Sequence, residues 1–251
     1  MIRMNKRVIA SCALAMAPAL GLAESNTTIG IGLDYSEGEY GESETSRTWQ
    51  IPLTIRHETG PFILKLNVPY VRSSGLAAPG GDRRTEVKDT QSGLGDVTAT
   101  AMYAAHYDSA AQFGIDVGTK IKFATADDSK SLLTTGENDY SLLADLYKGF
   151  GSSSVFGTVG WTSKGDPAGV DYRDPWFFSL GFSNKLSDAN SWGLSYDYRQ
   201  RLTSRGDPVS EAMLFFTHRY SKEWRVQAYA VTGFSDASPD LGGGMSLSYS
   251  F

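Results

Sequence analysis

The last seven residues alternate without a break: Met245, Leu247, Tyr249 and Phe251 are apolar, and Ser246, Ser248 and Ser250 between them are polar. Successive side chains of an extended strand point to opposite faces, so a period of two sorts these residues onto the two sides of a sheet; a helix would mix them. The pattern recurs. Phe113, Ile115, Val117, Thr119, Ile121 and Phe123 stand against Gln112, Gly114, Asp116, Gly118, Lys120 and Lys122. Trp192, Leu194, Tyr196 and Tyr198 stand against Ser195, Asp197, Arg199 and Arg201.

Marking every such run predicts about twelve strands, near 27–36, 47–58, 61–73, 95–107, 112–125, 140–150, 153–164, 176–187, 191–204, 210–220, 224–235 and 242–251. Their connections alternate in length. Short ones fall at Thr59-Gly60, Asp108-Ser109-Ala110, Gly151-Ser152, Asp188-Ala189-Asn190 and Lys222-Glu223. Longer polar ones fall near 37–46, 74–94, 126–139, 165–175, 205–209 and 236–241. Tight turns at one end, loops at the other and an even strand count predict an all-β fold: a closed antiparallel transmembrane β-barrel of about twelve up-and-down strands over residues 24–251.

A soluble sandwich or lipocalin-like barrel shows the same alternation with the apolar face inward, so the character of each face decides. Trp49, Trp161, Trp176, Trp192 and Trp224 all belong to the apolar face and fall near strand ends, where an indole sits at headgroup level as an aromatic girdle. The opposite face carries charges that a dry core would hold only at several kcal/mol for each unpaired ion. The mean hydropathy of -0.27 excludes a bundle of apolar spanning helices but not a barrel, which shows lipid only alternate residues. The chain has 23 basic against 28 acidic residues, which speaks against a nucleic-acid partner.

Residues 1–23 read as a signal peptide. Arg3, Lys6 and Arg7 precede an apolar, Ala-rich run from Val8 to Leu22, and Gly21-Leu22-Ala23 supplies small residues for cleavage after Ala23. The one cysteine, Cys12, leaves with that segment, so the exported chain is expected to hold together without disulfides. The expected address is the Gram-negative outer membrane, with membrane lipid and lipopolysaccharide around the wall. The terminal Tyr249-Ser250-Phe251 resembles the signal read by the barrel assembly machinery, with Tyr249 and Phe251 as the residues read.

Gly93-Leu94-Gly95-Asp96-Val97, Lys120 to Asp127, Thr135 to Tyr140, Val155 to Trp161 and Lys164 to Pro167 together look like the outer-membrane family named for the MetA pathway of phenol degradation. The resemblance covers roughly residues 90–170. It implies an outer-membrane channel or uptake protein, in some members tied to the breakdown of aromatic compounds.

The polar face supplies the candidate lumen: Arg56, Lys65, Asp116, Lys120, Lys122, Asp145, Lys185, Asp197, Arg199, Arg201, Arg219 and Arg225, with Asp34, Asp96, Lys164 and Glu211. Two uses of these charges stay open. A basic excess lowers the entry energy of anions, and opposite charges paired between neighbouring strands brace the wall. Pro52 and Pro69 fall in adjacent strands and cannot donate to a ladder, which reads either as a plain bulge or as a weak patch that lets apolar solutes out sideways. His57 and His218 are expected to face lipid and His106 the lumen, none beside a serine with an orienting acid, so no enzyme is expected. Asp127-Asp128 has no ligand spacing and the glycine runs precede no helix, so neither metal nor cofactor is expected. The sequence therefore points to a channel for small solutes, with aromatic or anionic compounds as candidate cargo. The second reading is a structural or adhesive barrel with a closed lumen that works through its loops.

Overall fold

The structure is a computed structural model that describes residues 25–41, 44–75, 89–204 and 206–251; the expected signal peptide and Cys12 lie outside the described residues. Thirteen strands form one antiparallel sheet among them: β1 (Asn26–Gly38), β2 (Ser46–Thr59), β3 (Phe62–Gly75), β4 (Asp89–Leu94), β5 (Val97–Asp108), β6 (Phe113–Phe123), β7 (Asp139–Phe150), β8 (Ser153–Ser163), β9 (Trp176–Lys185), β10 (Asn190–Arg199), β11 (Val209–Arg219), β12 (Trp224–Gly233) and β13 (Leu241–Ser250). Consecutive strands pair, except that β5 pairs with β3 and not with β4, and β1 closes the ring by pairing with β13, from Thr28 opposite Ser250 to Glu37 opposite Leu241. β4 and β5 both lie along β3, at Tyr70–Gly75 and Phe62–Asn67, so they are one wall strand broken at Gly95-Asp96. The ring is a closed barrel of twelve strands.

Directly opposed residues in an antiparallel pair share a face, so the register assigns each side chain. Ile29, Ile31 and Leu33 of β1 and Ile51, Leu53 and Ile55 of β2 lie on the outer face and are exposed. Thr28, Thr54 and Arg56 point inward. The wall is therefore inverted relative to a water-soluble barrel: apolar residues outside, charged and hydroxyl residues inside.

Three features depart from the sequence reading. The stretch expected as one loop, 74–94, contains β4. The strand expected over 191–204 stops at Arg199, because Arg173 of the β8–β9 loop donates its backbone N–H to Leu202 O at 2.7 Å and draws the chain away from the sheet. A bulge does lie at the prolines, since Asn67 pairs with Thr98 but Tyr70 with Leu94, which leaves one extra residue at Gly95–Val97 opposite Val68 and Pro69; a second, unexpected bulge lies at Ala104–His106 in β5. One extra residue there reverses the facing beyond it, so His106 pairs with the outward Ile115 and packs 6.1 Å from the Phe113 ring, facing lipid and not the lumen as expected.

Candidate functional site

Two rows of paired residues run around the inside. The first joins Arg56 to Lys65, Lys65 to Thr100, Thr100 to Lys120 and Lys120 to Ser141. The second joins Asp116 to Asp145, then Thr158, Ser179, Asp197 and Glu211. Between them Phe177 of β9 pairs with Arg199 of β10. Sequence alternation places each charge on the inner face, but only the register shows that like charges fall into separate rows.

The two uses expected of the lumen charges divide by depth. At the loop end they are paired. Lys122 Nζ lies 3.1 Å from Asp96 Oδ2 and 3.5 Å from Asp139 Oδ2, and Lys164 Nζ lies 2.5 Å from the same Asp139 oxygen. Deeper in the barrel Arg56 Nε donates to Glu58 Oε1 at 2.8 Å. Lys65, Lys120 and Arg199 have no carboxylate within 4.0 Å among the described residues, and Arg199 Nε has no hydrogen-bond partner there. Lys120 Nζ instead sits 5.4 Å from the Phe177 ring centre. Asp116 Oδ1 and Glu211 Oε1 are likewise unpartnered, on residues only 5% and 3% exposed. Charges left unpaired in a dry interior are costly, so these atoms call for water or a solute as partner.

These cations form a sequence along the lumen. By register Arg56 and Lys65 are direct partners, Thr100 stands between Lys65 and Lys120, Phe177 lies beside Lys120 and pairs with Arg199, Lys164 follows the loop end of β8, and Arg225 is paired across the ladder with Arg219. Two arginines directly opposed on adjacent strands repel each other, a cost that packing alone does not require. Lys185 and Arg219 face inward at the turn end and are exposed. Arg201 is corrected: it lies past the end of β10, exposed in a loop, and not in the wall.

The tryptophans all lie on the outer face. Trp161 and Trp176 are direct partners, and Trp49 packs 4.6 Å from Tyr35, all toward the loop end. Trp192 lies 5.9 Å from Phe182 and Trp224 4.8 Å from Tyr249, toward the turn end. Tyr249 in turn packs 4.9 Å from Phe251, whose backbone N–H donates to Thr27 O at 2.8 Å across the seam.

Of the histidines, His57 Nδ1 lies 2.9 Å from Thr27 Oγ1 and His218 Nδ1 lies 2.8 Å from Asn190 Oδ1. Neither pair has the third member that a hydrolytic triad needs among the described residues: an orienting carboxylate or amide on the first, a nucleophilic hydroxyl on the second.

Sequence reasoning missed the inward aromatics. Phe156, Phe177 and Phe215 lie over Gly181, Gly160 and Gly193, each ring in the space where that glycine would carry a Cβ. The sole sequence signal was glycine recurring on the polar face of neighbouring strands, which becomes legible only once the register is known.

This is the architecture of a transmembrane β-barrel, a closed antiparallel ring that is apolar outside and charged within. No protein-family model matches the chain, and no curated protein sequence matches it. Among solved structures it is similar to the KdgM porin, at TM-score 0.60 and 13% identity over 89% of this chain and 99% of that one. It is similar too to the KdgM porin in complex with disordered oligogalacturonate, at TM-score 0.58 and 13% identity over the same shares of each chain. The translocator domain of autotransporter NalP from Neisseria meningitidis aligns at TM-score 0.52 and 13% identity, over 93% of this chain and 90% of that one.

Proposed function

We propose that this barrel is an outer-membrane channel for small anionic solutes. The observation that carries the reading is the succession of inward cations from Lys164 through Arg199, Lys120, Lys65 and Arg56 to Arg225, of which Lys65, Lys120 and Arg199 have no carboxylate within 4.0 Å among the described residues. A mobile anion is the partner such groups lack, and overlapping fields let it pass from one to the next without a deep well. The solved complex of a similar barrel with oligogalacturonate, whose sugar units carry carboxylates, agrees with that choice of cargo. The Phe177 ring beside Lys120 and Arg199 adds a surface for a flat, apolar body.

On this reading the protein is not an enzyme, residues 1–23 direct export, the tryptophans anchor the wall in lipid and lipopolysaccharide, and Tyr249 and Phe251 present the strand to the assembly machinery. The reversal potential across a salt gradient in a planar bilayer tests the channel. Anion preference that falls when Lys120 is replaced by Glu is the expected result. A folded barrel that never conducts would favour the closed, loop-driven surface protein.

A further inference from the structure

The loop between β6 and β7 does not project from the barrel. Val71 faces inward on β3, opposite Gln50 on one side and Gly93 on the other, and it is 1% exposed. The residues that bury it are Ala126, Leu132 and Leu133, all from that loop. Leu132 N–H donates to Gln91 Oε1 at 2.9 Å and Lys130 Nζ to Ser92 O at 2.8 Å, both on β4. A Cβ built on Gly93 would lie 3.2 Å from Lys130 Nζ and 3.5 Å from Leu133 Cδ1, so the loop rests where β4 presents bare backbone. The chain thus leaves β6, crosses β5 and lies on the inner face of β3 and β4.

It is fixed there from both ends. The Asp96 carboxylate, in the break between β4 and β5, accepts from Thr134 Oγ1 at 2.8 and 2.9 Å, from Ala126 N–H at 3.3 Å and from Lys122 Nζ at 3.1 Å. Lys122 Nζ also donates to Thr135 Oγ1 at 3.0 Å. Between these anchors the loop turns on itself: Asp127 Oδ1 accepts from Ser129 N–H and Oγ, and Lys130 N–H donates to Asp127 O. A surface loop gains nothing by carrying Leu132-Leu133 into water; one folded into the mouth buries them and narrows the passage.

We infer that residues 126–135 form the size-limiting constriction of the channel, with Leu132 and Leu133 packed on Val71 as its apolar wall and Asp96 as its anchor. This inference rests on the channel reading. The test uses protein purified from outer membranes, with folding checked by the gel shift of an unheated barrel, and compares wild type with a variant whose residues 127–134 are replaced by Gly-Gly. Single-channel conductance is expected to rise at least about twofold, and liposomes are expected to swell in a trisaccharide that wild type excludes. A folded, conducting pair with equal conductance and equal size limit overturns the constriction and leaves the channel standing. If neither protein conducts, the channel reading falls and the constriction with it. A silent wild type beside a conducting variant overturns it in favour of a complete plug. As a check that leaves loop length unchanged, Ser131→Cys, at an exposed position of the same loop beside Leu132, is treated in a Cys12→Ser background with a charged methanethiosulfonate from the loop side. A stepwise drop in current is expected, and an unchanged current rejects the placement.

Discussion

Pro52 and Pro69 are direct partners across β2 and β3, yet that ladder loses no hydrogen bond to them. Pro69 O accepts from Gly95 N–H at 2.8 Å, so its polar edge is turned away from β2 and the two prolines form a non-hydrogen-bonded pair. The missing donors fall on the outer flanks of the ribbon instead. There the β1–β2 register skips Gly32 and Leu33, and β3 has no ladder partner at Val68 and Pro69. Both gaps are filled from inside by a ring over a glycine: a Cβ on Gly32 would lie 3.0 Å from Pro52 Cγ, and one on Gly95 3.2 Å from Pro69 Cγ.

That geometry separates packing from ladder effects. Gly32→Val or Gly95→Val should destabilise the barrel by about 1–3 kcal/mol through overpacking. Pro52→Val with Pro69→Val should change stability by less, because each recovered bond, about 0.5–1.5 kcal/mol, is offset by roughly 0.4–1 kcal/mol of extra freedom in the unfolded chain. Urea midpoints in detergent would read both. With the gaps closed by rings, uptake of an apolar solute by the double proline variant should equal wild type; a loss of uptake would show a side exit here.

Arg199 and Arg201 look equivalent in the sequence, two residues apart on one alternating run, and the structure separates them. Arg199 ends β10 and faces Lys120 and Phe177, whereas Arg201 lies exposed in the following loop. Charge reversal at Arg199 should therefore move the reversal potential clearly toward cations, and the same change at Arg201 should move it little. Equal shifts would mean that selectivity is set by the rim and not by the interior track.

The legibility of these features follows from how local their causes are. Alternation in Met245–Phe251 and Phe113–Phe123 is a property of consecutive residues, and it yielded strand number, facing and turn pattern. The end of β10 is not legible within 191–204 because Arg173, in another loop, bonds Leu202 O just beyond it. His106 faces lipid because one bulge residue reverses parity, and nothing at Ala104–His106 marks that bulge in the chain. The charged rows and the inward loop depend on pairings between strands distant in sequence. For the same reason the connection at 126–139 reads as a long polar loop in the sequence, and only the packing on Val71 shows that Leu132-Leu133 within it is buried.

Phe251 closes the seam in two ways: its N–H bonds Thr27 O, and its ring meets Tyr249, which itself packs on Trp224. Phe251→Ala keeps the backbone bond and removes the ring contact. A loss of about 0.5–1.5 kcal/mol is expected from the aromatic pair. If the terminal residues also serve assembly, the amount of folded protein in the outer membrane should fall by far more than this stability loss predicts, with Phe251→Tyr restoring it. Parallel losses in yield and stability would assign Phe251 to seam packing alone.

Alkaline titration at the mouth pits two groups against each other. Burial pushes the Lys164 ammonium below the ordinary lysine value, with Asp139 opposing the shift, while burial, then Asp139 and Asp166, push the Tyr172 phenol above its ordinary value. Between the lowered lysine value and the ordinary one the unfolded chain holds more protons than the folded barrel, so Lys164 makes stability rise with pH. Above the ordinary tyrosine value the folded barrel holds more protons, so Tyr172 makes stability fall. Lys164 Nζ lies 5.9 Å from the Tyr172 ring centre, so both act on the same corner of the mouth. From pH 8 to 11, Lys164→Met should lose thermal resistance more steeply than wild type, and Tyr172→Phe less steeply. Identical slopes in all three proteins would show that this corner is open to water, and a steeper fall in Tyr172→Phe would reverse the assigned signs.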